Sequence, residues 1–189
     1  MANNETPETN DQGIEKEEDI GVVQRTPMVI HRQYLKDLSF ENPNAPGIFQ
    51  NMDDRPEMDM NIMLDVNKIE HEKHEHYYEV VLSLKASAVR AEDAMFLAQI
   101  DYAAAVSIER IKPAQHHPLL FIEVPKMLFP FARHILSFVT QNGAFTPLQV
   151  GPVDFRQMYL ARFGDKNASE EQTEAESNEA DDAEKQAAH

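Results

Sequence analysis

The sequence of 189 residues contains no cysteine, no tryptophan and only six glycines. Without cysteine, the chain cannot form a disulfide scaffold, a Cys-ligated zinc or iron–sulfur site, or a thiol nucleophile. This composition is typical of a reducing compartment, and we expect a cytoplasmic protein. No apolar run approaches the roughly 20 residues that span a bilayer, and the first thirty residues lack the basic and apolar regions of a signal peptide. We therefore expect no direct membrane insertion.

Positive charge is also scarce. The chain has 17 Lys and Arg against 33 Asp and Glu, which gives a formal net charge of -16. Nucleic-acid binding requires a basic surface that neutralises phosphates, so we expect no nucleic-acid partner. Residues 26–163 contain only three glycines, Gly47, Gly143 and Gly151. None of them has the Lys and Ser or Thr of a phosphate-binding loop at the required spacing. Nucleotide chemistry is therefore not expected.

The negative charge is concentrated at the two ends of the chain. Residues 1–25 carry seven acids and two bases, and residues 164–189 carry nine acids and two bases. Polar, acidic segments of this kind bury too little apolar area to offset the entropy of ordering, so both are predicted to be disordered tails. Solubility is one explanation for them, and docking to a basic partner is another. Residues 26–163 contain all Phe and Tyr residues and are predicted to form the folded domain.

Four segments of the domain have the alternating pattern of β-strands. The first covers residues 29–41, where Leu38 and Phe40 face opposite to Asp37, Ser39 and Glu41. A proline-rich crossover follows at residues 42–56, and the second strand alternates over residues 57–70. A polar run with three histidines precedes the third strand, and a short link at residues 90–93 predicts a hairpin to the fourth. On the fourth strand, one face carries Phe96, Ala98, Ile100 and Tyr102, and the other carries Leu97, Gln99 and Asp101.

Beyond Pro113 the apolar spacing becomes helical. Residues 126–142 have apolar side chains at helical spacing, Gly143 is a stop signal, and Pro130 is expected close to the first turn. A second short helix is predicted over residues 154–163. The first helix is apolar on all sides, which a single four-stranded sheet cannot cover, so association of subunits is expected. The fold class predicted is α+β, with a four-stranded antiparallel sheet and helices on one side.

The one cluster of metal-ligating side chains in the sequence lies in the polar run, at His71, His74 and His76. His74 and His76 are expected to share a face, but the helical HExxH spacing of a zinc protease is not met. A solvated hairpin tip and a metal site are the two alternatives. No nucleophile elbow accompanies the other histidines, so we expect no catalytic residue, no metal and no cofactor.

Methionines and aromatic residues accumulate in the crossover and on the last helix. Phe49 and Met52 lie in the crossover, and Phe155, Met158 and Tyr159 lie on the helix. Flexible thioethers are favoured at surfaces that bind many partners. Ordinary core packing is the alternative, because such residues at regular spacing usually fill a core.

Three stretches together resemble a known family. YLKDLSFENPNAPGIFQ at residues 34–50, LFPFARHIL at residues 128–136 and PVDFRQMYL at residues 152–160 are similar, in the same order, to the signature stretches of SecB, the bacterial protein-export chaperone. The resemblance covers the predicted domain and leaves out the two acidic tails. It implies a homotetramer, built as a dimer of dimers, that binds unfolded precursor proteins without ATP and delivers them to the SecA motor. Such a protein is a holdase and not an enzyme.

The resemblance also implies roles for particular residues. Clients are expected in grooves between the crossover and the last helix, and the residues tied to client binding and assembly are Phe40, Phe49, Met52, Phe96, Ala98, Ile100, Tyr102, Phe155, Met158 and Tyr159. The SecA-docking surface maps to Asp37, Glu41, Leu97 and Gln99. The last of these positions is usually acidic in the family, and the neighbouring Asp101 is a candidate to compensate for Gln99. A SecB-like chaperone dedicated to one partner, such as an antitoxin, and a metal-dependent enzyme centred on the histidine run are the competing hypotheses.

Overall fold

The structure is a computed structural model and describes residues 27–50 and 55–164. The predictions for the acidic ends, residues 1–25 and 165–189, lie outside the described residues, as does the prediction for Met52.

Four antiparallel strands form one sheet: β1 (Met28–Glu41), β2 (Glu57–Ile69), β3 (Tyr77–Arg90) and β4 (Asp93–Ile108). Their order is β1-β4-β3-β2, so the first two strands along the chain lie at the outer edges of the sheet as described. Because β1 and β2 do not pair with each other, the crossover between them must pass from one edge to the other. The predicted four-stranded antiparallel sheet is confirmed.

The alternating pattern sorts side chains onto two faces of the sheet. On the two central strands, the apolar face is buried except at Tyr78 and Tyr102, which are half-buried, and Leu84 of β3 lies opposite Ile100 of β4. This face packs against the long helix, because the same buried cluster contains Leu128 and Leu136. We call the other side of the sheet the open face.

Two bulges interrupt the pairing of β1 with β4. His31 lies between the pairs Ile30–Val106 and Arg32–Ala105, and Lys36 is likewise an extra residue between successive pairs. A bulge adds one residue to one strand and redirects its side chain. The side chains of both extra residues reach partners on the open face, at Ser107 and Glu79 respectively. Alternation alone did not predict either bulge.

The β3–β4 connection is the tight hairpin that the sequence predicted. Only two residues, Ala91 and Glu92, separate the strands. Ala91 adopts φ 56°, in the left-handed region, which two-residue hairpins commonly require. The turn joins the ends of the two strands, and Met95 is an extra residue that shifts the register between the turn and the rest of the ladder.

The long helix, Val124–Asn142, begins earlier than predicted. One helical turn (His116–Pro118) and a π-helical stretch (Leu119–Glu123) lead into it without a break. Pro130 therefore lies inside the helix and not near its first turn, which corrects the sequence-based expectation. Buried positions recur mostly every four residues, as ridge packing onto a sheet requires, at Val124, Leu128, Ala132, Leu136 and Thr140.

The loop after the long helix is tied back to it. The Thr140 hydroxyl accepts the Leu148 N–H at 3.0 Å. Gly143 ends the helix where the Phe40 ring approaches its backbone so closely that any Cβ at this position would collide with the ring. The loop then reaches the second helix, residues 155–164, which ends one residue beyond the prediction. Asp154 precedes this helix, and its Oδ1 accepts the Gln157 N–H at 2.9 Å, as in an N-cap.

Among the residues that the structure describes, no helix is both long enough and apolar enough to cross a membrane.

Candidate functional site

A cavity of about 500 Å³ opens between the second helix, the edge strand β2 and the π-helical stretch. We call it the helix groove. Apolar side chains form most of its lining, with Asp65, Ser83 and Arg162 as polar members. Its apolar lining residues are Ile62, Met63, Leu64, Phe121, Phe155, Met158, Tyr159, Ala161 and Phe163.

The second helix is anchored at both ends, which shapes the helix groove. Phe155 is buried edge-to-face against Phe129 of the long helix, with ring centroids 5.8 Å apart. At the other end, Arg162 donates a hydrogen bond to the Leu64 carbonyl at 3.0 Å and lies over the Phe163 ring. Between these anchors, Met158 is half-buried and lines the cavity. A polarizable side chain thus faces a largely apolar opening, which suits side chains of many shapes.

The described part of the crossover does not contribute a lining residue to the helix groove. Its short 3-10 helix, Gly47–Gln50, packs instead on the β3–β4 hairpin, where Arg90 donates to the Ile48 carbonyl at 2.6 Å. The Phe49 ring lies 5.5 Å from Phe145, and Phe145 lies 5.1 Å from Phe96. Of the predicted client residues, Phe40, Phe49 and Phe96 therefore form an aromatic cluster separate from those on the second helix.

Three further predicted client residues lie under the long helix. Ala98 is almost completely buried and Ile100 has no exposed surface, so neither can touch a client in this conformation. Tyr102 is half-buried, and its ring stacks on Phe131 with centroids 6.0 Å apart. Any part that Ala98 and Ile100 take in binding is therefore indirect, through the core that supports the helix.

The four residues predicted to dock SecA lie together on the open face. Glu41 is the cross-strand neighbour of Leu97, and Gln99 pairs with Ser39, next to Asp37 in the ladder. Asp37 and Glu41 are exposed, whereas Leu97 and Gln99 are partly buried. We call this group, with Asp101, the acidic patch.

Asp101 joins the acidic patch directly, because it pairs with Asp37. Its Oδ1 is buried and has no hydrogen-bond partner among the described residues. Two carboxylates face each other across neighbouring strands, which is unfavourable for the sheet in isolation. Lys85 of β3 lies opposite Gln99 and borders the patch. The exposed carboxylates of Asp37 and Glu41 offer acceptor oxygens to a basic group.

A second group of polar side chains on the open face consists of Tyr34, Lys36 and Glu79, and its two charged members form an ion pair. The Tyr34 hydroxyl donates to one oxygen of Glu79 at 2.5 Å, and the Lys36 ammonium donates to the other at 2.6 Å. These two hydrogen bonds lower the pKa of Glu79. Burial and the hydrogen bond to Glu79 raise the pKa of Tyr34 to about 12. This group ties β1 to β3 across the small side chains of β4.

The histidine run divides between two sides of the sheet, so the expectation that His74 and His76 share a face is wrong. The His74 ring contacts His31, His71 and Tyr77. The His76 ring instead packs edge-to-face on buried His116, with centroids 4.6 Å apart. Within residues 27–50 and 55–164, no group of three or more His, Asp or Glu side chains is arranged to hold a metal ion.

The position of His31 beside His71 and His74 makes the contribution of His31 to folding stability depend on pH. Partial burial, followed by the nearby charges of His74 and His71, lowers the pKa of His31 below its ordinary value of 6.5, and Glu109 opposes this shift only weakly. The folded state therefore binds the proton less well than the unfolded state does. The stabilisation that comes from neutral His31 is therefore present above pH 6.5 and decreases as the pH falls below it.

We expect the urea midpoint of the wild-type protein to fall between pH 7.5 and pH 5.5, at fixed protein concentration, by more than that of His31→Asn. The asparagine keeps a polar group beside Ser107 but does not titrate. His134→Asn, on the exposed side of the long helix, is the matched control and should behave like the wild type. Equal pH dependence in all three proteins would contradict this prediction.

The sequence indicated only three of the twelve residues that line the helix groove, Phe155, Met158 and Tyr159. The β2 residues Ile62 and Leu64 were predicted only as part of an alternating strand, and Met63, Phe121 and Phe163 were not singled out. Phe121 lies in the π-helical stretch, whose geometry brings a different face forward than an α-helix does. The period-two pattern of β2 marked Ile62 and Leu64 as apolar, but nothing in it indicated an opening beside them.

Comparisons with known proteins agree on one family. The family model SecB, described as preprotein translocase subunit SecB, matches residues 23–166. The protein-export protein SecB of Granulibacter bethesdensis is 41% identical over 142 residues, covering 72% of this chain and 82% of its own length. The same protein of Rhodospirillum rubrum is 40% identical over 139 residues, covering 73% and 83%.

One solved structure supports the fold. A SecB-like chaperone of Mycobacterium tuberculosis, in complex with a ChAD peptide from an antitoxin, superposes with a TM-score of 0.55. The match covers 67% of this chain and 91% of that one at 14% identity, so it supports the fold alone.

Proposed function

The chain belongs to the SecB family of protein-export chaperones, as its three signature stretches predicted, and from this we propose that it is an ATP-independent holdase. It binds unfolded precursor proteins in the cytoplasm, keeps them competent for translocation and delivers them to SecA. Members of the family are chaperones and not enzymes.

One observation carries the proposal: a single small domain has an apolar groove and an acidic patch as separate surfaces. The helix groove is centred on β2 and the second helix, whereas the acidic patch is centred on the open face of β1 and β4. The two surfaces share no residue, and they approach each other at Ser83 of the groove, which pairs with Asp101 of the patch. A carrier that hands its cargo to a second protein needs two such surfaces. Cargo bound in the groove would leave the patch free for a basic partner.

The chemistry of the helix groove suits unfolded chains. Burial of apolar area is non-directional, so a groove lined by Met and Phe accepts many sequences. At about 25 cal/mol per Å², one buried client Leu or Phe contributes only about 2 kcal/mol, and each contact reverses quickly. Several grooves on one assembly would raise the local concentration of each following client segment and give tight net binding. Release then requires no nucleotide.

An exposed apolar stripe supports assembly into the family's homotetramer. Met127, Phe131 and Phe138 lie on one side of the long helix with 46%, 51% and 58% of their surfaces exposed. Large apolar side chains grouped in this way usually mark an interface. We propose that this stripe packs against other subunits in a dimer of dimers.

Light scattering coupled to size exclusion tests the proposed function. Without ATP, the wild-type protein should elute as a tetramer that takes up a reductively unfolded secretory precursor and ignores the folded form. Met158→Asp places a charge in the helix groove and should weaken capture about tenfold or more, because a buried carboxylate is costly. Gln157→Asp adds the same charge at the neighbouring exposed position and serves as the control.

The possible outcomes are distinct. Equal capture by all three proteins would remove the helix groove from the proposal, and no capture by the wild type would remove the holdase function. Capture restricted to one client among many unfolded proteins would favour the dedicated chaperone over the general export chaperone.

A further inference from the structure

A second apolar groove, of about 380 Å³, lies where the described chain begins. Its walls are the link after β4 and the start of the helical region, and its apolar residues are Pro27, Ile111, Pro118, Leu119 and Ile122. Ile111, Leu119 and Ile122 pack against the core and remain only partly buried. We call this opening the entry groove. It lies on residues different from those of the helix groove.

The chain enters the domain at the rim of this groove. The Pro27 carbonyl accepts the Glu109 N–H at 2.9 Å, which fixes the first described residue beside the link. The residues just before it are therefore tethered at the entry groove. At about 3.5 Å per residue, Val23 can lie no more than about 14 Å from Pro27.

These tethered residues contain a group of aliphatic side chains, whereas the rest of residues 1–25 is mostly polar. Ile20, Val22 and Val23 occur within four positions, directly after the acidic run of residues 15–19. The family match begins at residue 23, so most of this segment is additional to the region shared with the family. An apolar cluster of this kind in an otherwise polar segment requires cover from water.

Two basic residues stand beside the entry groove, whereas the acidic residues nearest to it, Glu123 in its lining and Glu109 on the link, lie against Lys126 and His74. Arg110 and Lys112 flank Ile111 on the link, and both are exposed. Neither forms a salt bridge with another described residue. Four of the five residues at 15–19 are acidic. Opposite charges thus lie on the two parts of the chain that the tether keeps close.

We propose that Ile20, Val22 and Val23 of the same chain occupy the entry groove, with the acidic run beside Arg110 and Lys112. The segment covers the exposed sides of Ile111, Leu119 and Ile122 and fastens the extension to the end of the domain. The predicted disordered tail is then shorter than 25 residues. The helix groove and the acidic patch stay open, so the contact is compatible with client and partner binding.

Cysteine cross-linking tests the contact, because the natural chain has no cysteine. Gln24→Cys and Gln115→Cys place one thiol beside the segment and one at the exposed rim of the groove. A disulfide requires Cα atoms about 4.4–6.8 Å apart. We expect rapid oxidation by oxidised glutathione within one full-length chain, read out by mass and gel mobility.

Substitutions added to the cysteine pair distinguish docking of the segment in the entry groove from mere tethering beside it. Val22→Asp with Val23→Asp keeps the tether but removes the apolar side chains. It should slow formation of the disulfide about tenfold or more, because a docked segment has a much higher effective concentration at the groove. Lys112→Glu should also slow closure at low salt, whereas Lys68→Glu on β2, with the same change in net charge, should not.

Closure at the same rate in all backgrounds would show that the tether alone brings the thiols together and would overturn the proposal. A disulfide joining two chains would show that the groove takes up another copy's segment, which also overturns it. Failure of client capture in the experiment on the helix groove would leave these results unaffected.

Discussion

Asp37→Lys combined with Glu41→Lys is expected to lower the affinity for SecA by about tenfold or more at low salt, because charge complementarity at an interface controls both encounter and docking. Both side chains are exposed on the open face, so replacement disturbs little of the core. Capture of the unfolded precursor should remain unchanged, because the helix groove lies at the β2 edge. Titration of SecA by calorimetry, in parallel with the capture measurement, checks both expectations.

The effect should shrink as ionic strength rises, since the Debye length falls to about 8 Å at 0.15 M. Glu72→Lys with Glu75→Lys is the matched control, because it alters net charge equally in the exposed loop between β2 and β3. If this control weakened SecA binding as strongly, total charge and not the acidic patch would be responsible. If the patch variant also lost client capture, the two surfaces would not be independent.

Asp101 refines this prediction. Gln99 removes a charge at the position where the family usually has an acid, and Asp101 lies two residues further along the same strand, opposite Asp37. Asp101→Asn should therefore weaken SecA binding further in a salt-sensitive way, if it compensates for Gln99. An unchanged affinity in Asp101→Asn would confine the patch to Asp37 and Glu41.

Phe131→Asp combined with Phe138→Asp is expected to convert the proposed tetramer into smaller species. Burying one such ring contributes about 2 kcal/mol, so two per subunit amount to roughly a thousandfold in the association constant. More than half of each ring is exposed in the single chain, so the domain itself should remain folded. Light scattering gives the mass, and circular dichroism checks the fold.

Asn61→Asp with Asn67→Asp adds the same two charges at exposed positions of β2 and should leave the tetramer intact. A tetramer that survives the phenylalanine replacements would show that the apolar stripe is not an assembly surface. Loss of assembly should also weaken client capture, because a client would then contact fewer grooves at once.

The regular parts of the fold could be predicted from the sequence because they repeat a simple period. Alternation indicated all four strands, and the separation of Leu97 and Gln99 from Phe96 and Ile100 followed from it directly. The bulges at His31 and Lys36 could not be predicted this way, because an extra residue reverses the alternation without changing the composition. The early start of the long helix was missed because Pro118 and Pro125 are normally helix boundaries.

The two candidate sites also differ in how far they could be predicted from the sequence. The acidic patch was predictable, because alternation places residues 37, 39 and 41 on one face and the family resemblance assigned residues of the first and fourth strands to one docking surface. The helix groove was predicted only in part. Its β2 wall and Phe121 lie far from the second helix in sequence, and apolar residues that line an opening have the same pattern as residues that fill a core.

The sequence by itself determined the family, the number and type of strands and the two faces of the sheet, since these depend on local periodicity and on three short motifs. Only the tertiary structure decided which apolar residues are covered. Ala98 and Ile100 lie buried under the long helix, Phe131 and Phe138 are exposed, and Phe49 packs in a cluster with Phe145. Burial is a property of packing between segments distant along the chain, and no local pattern records which neighbour a side chain will meet.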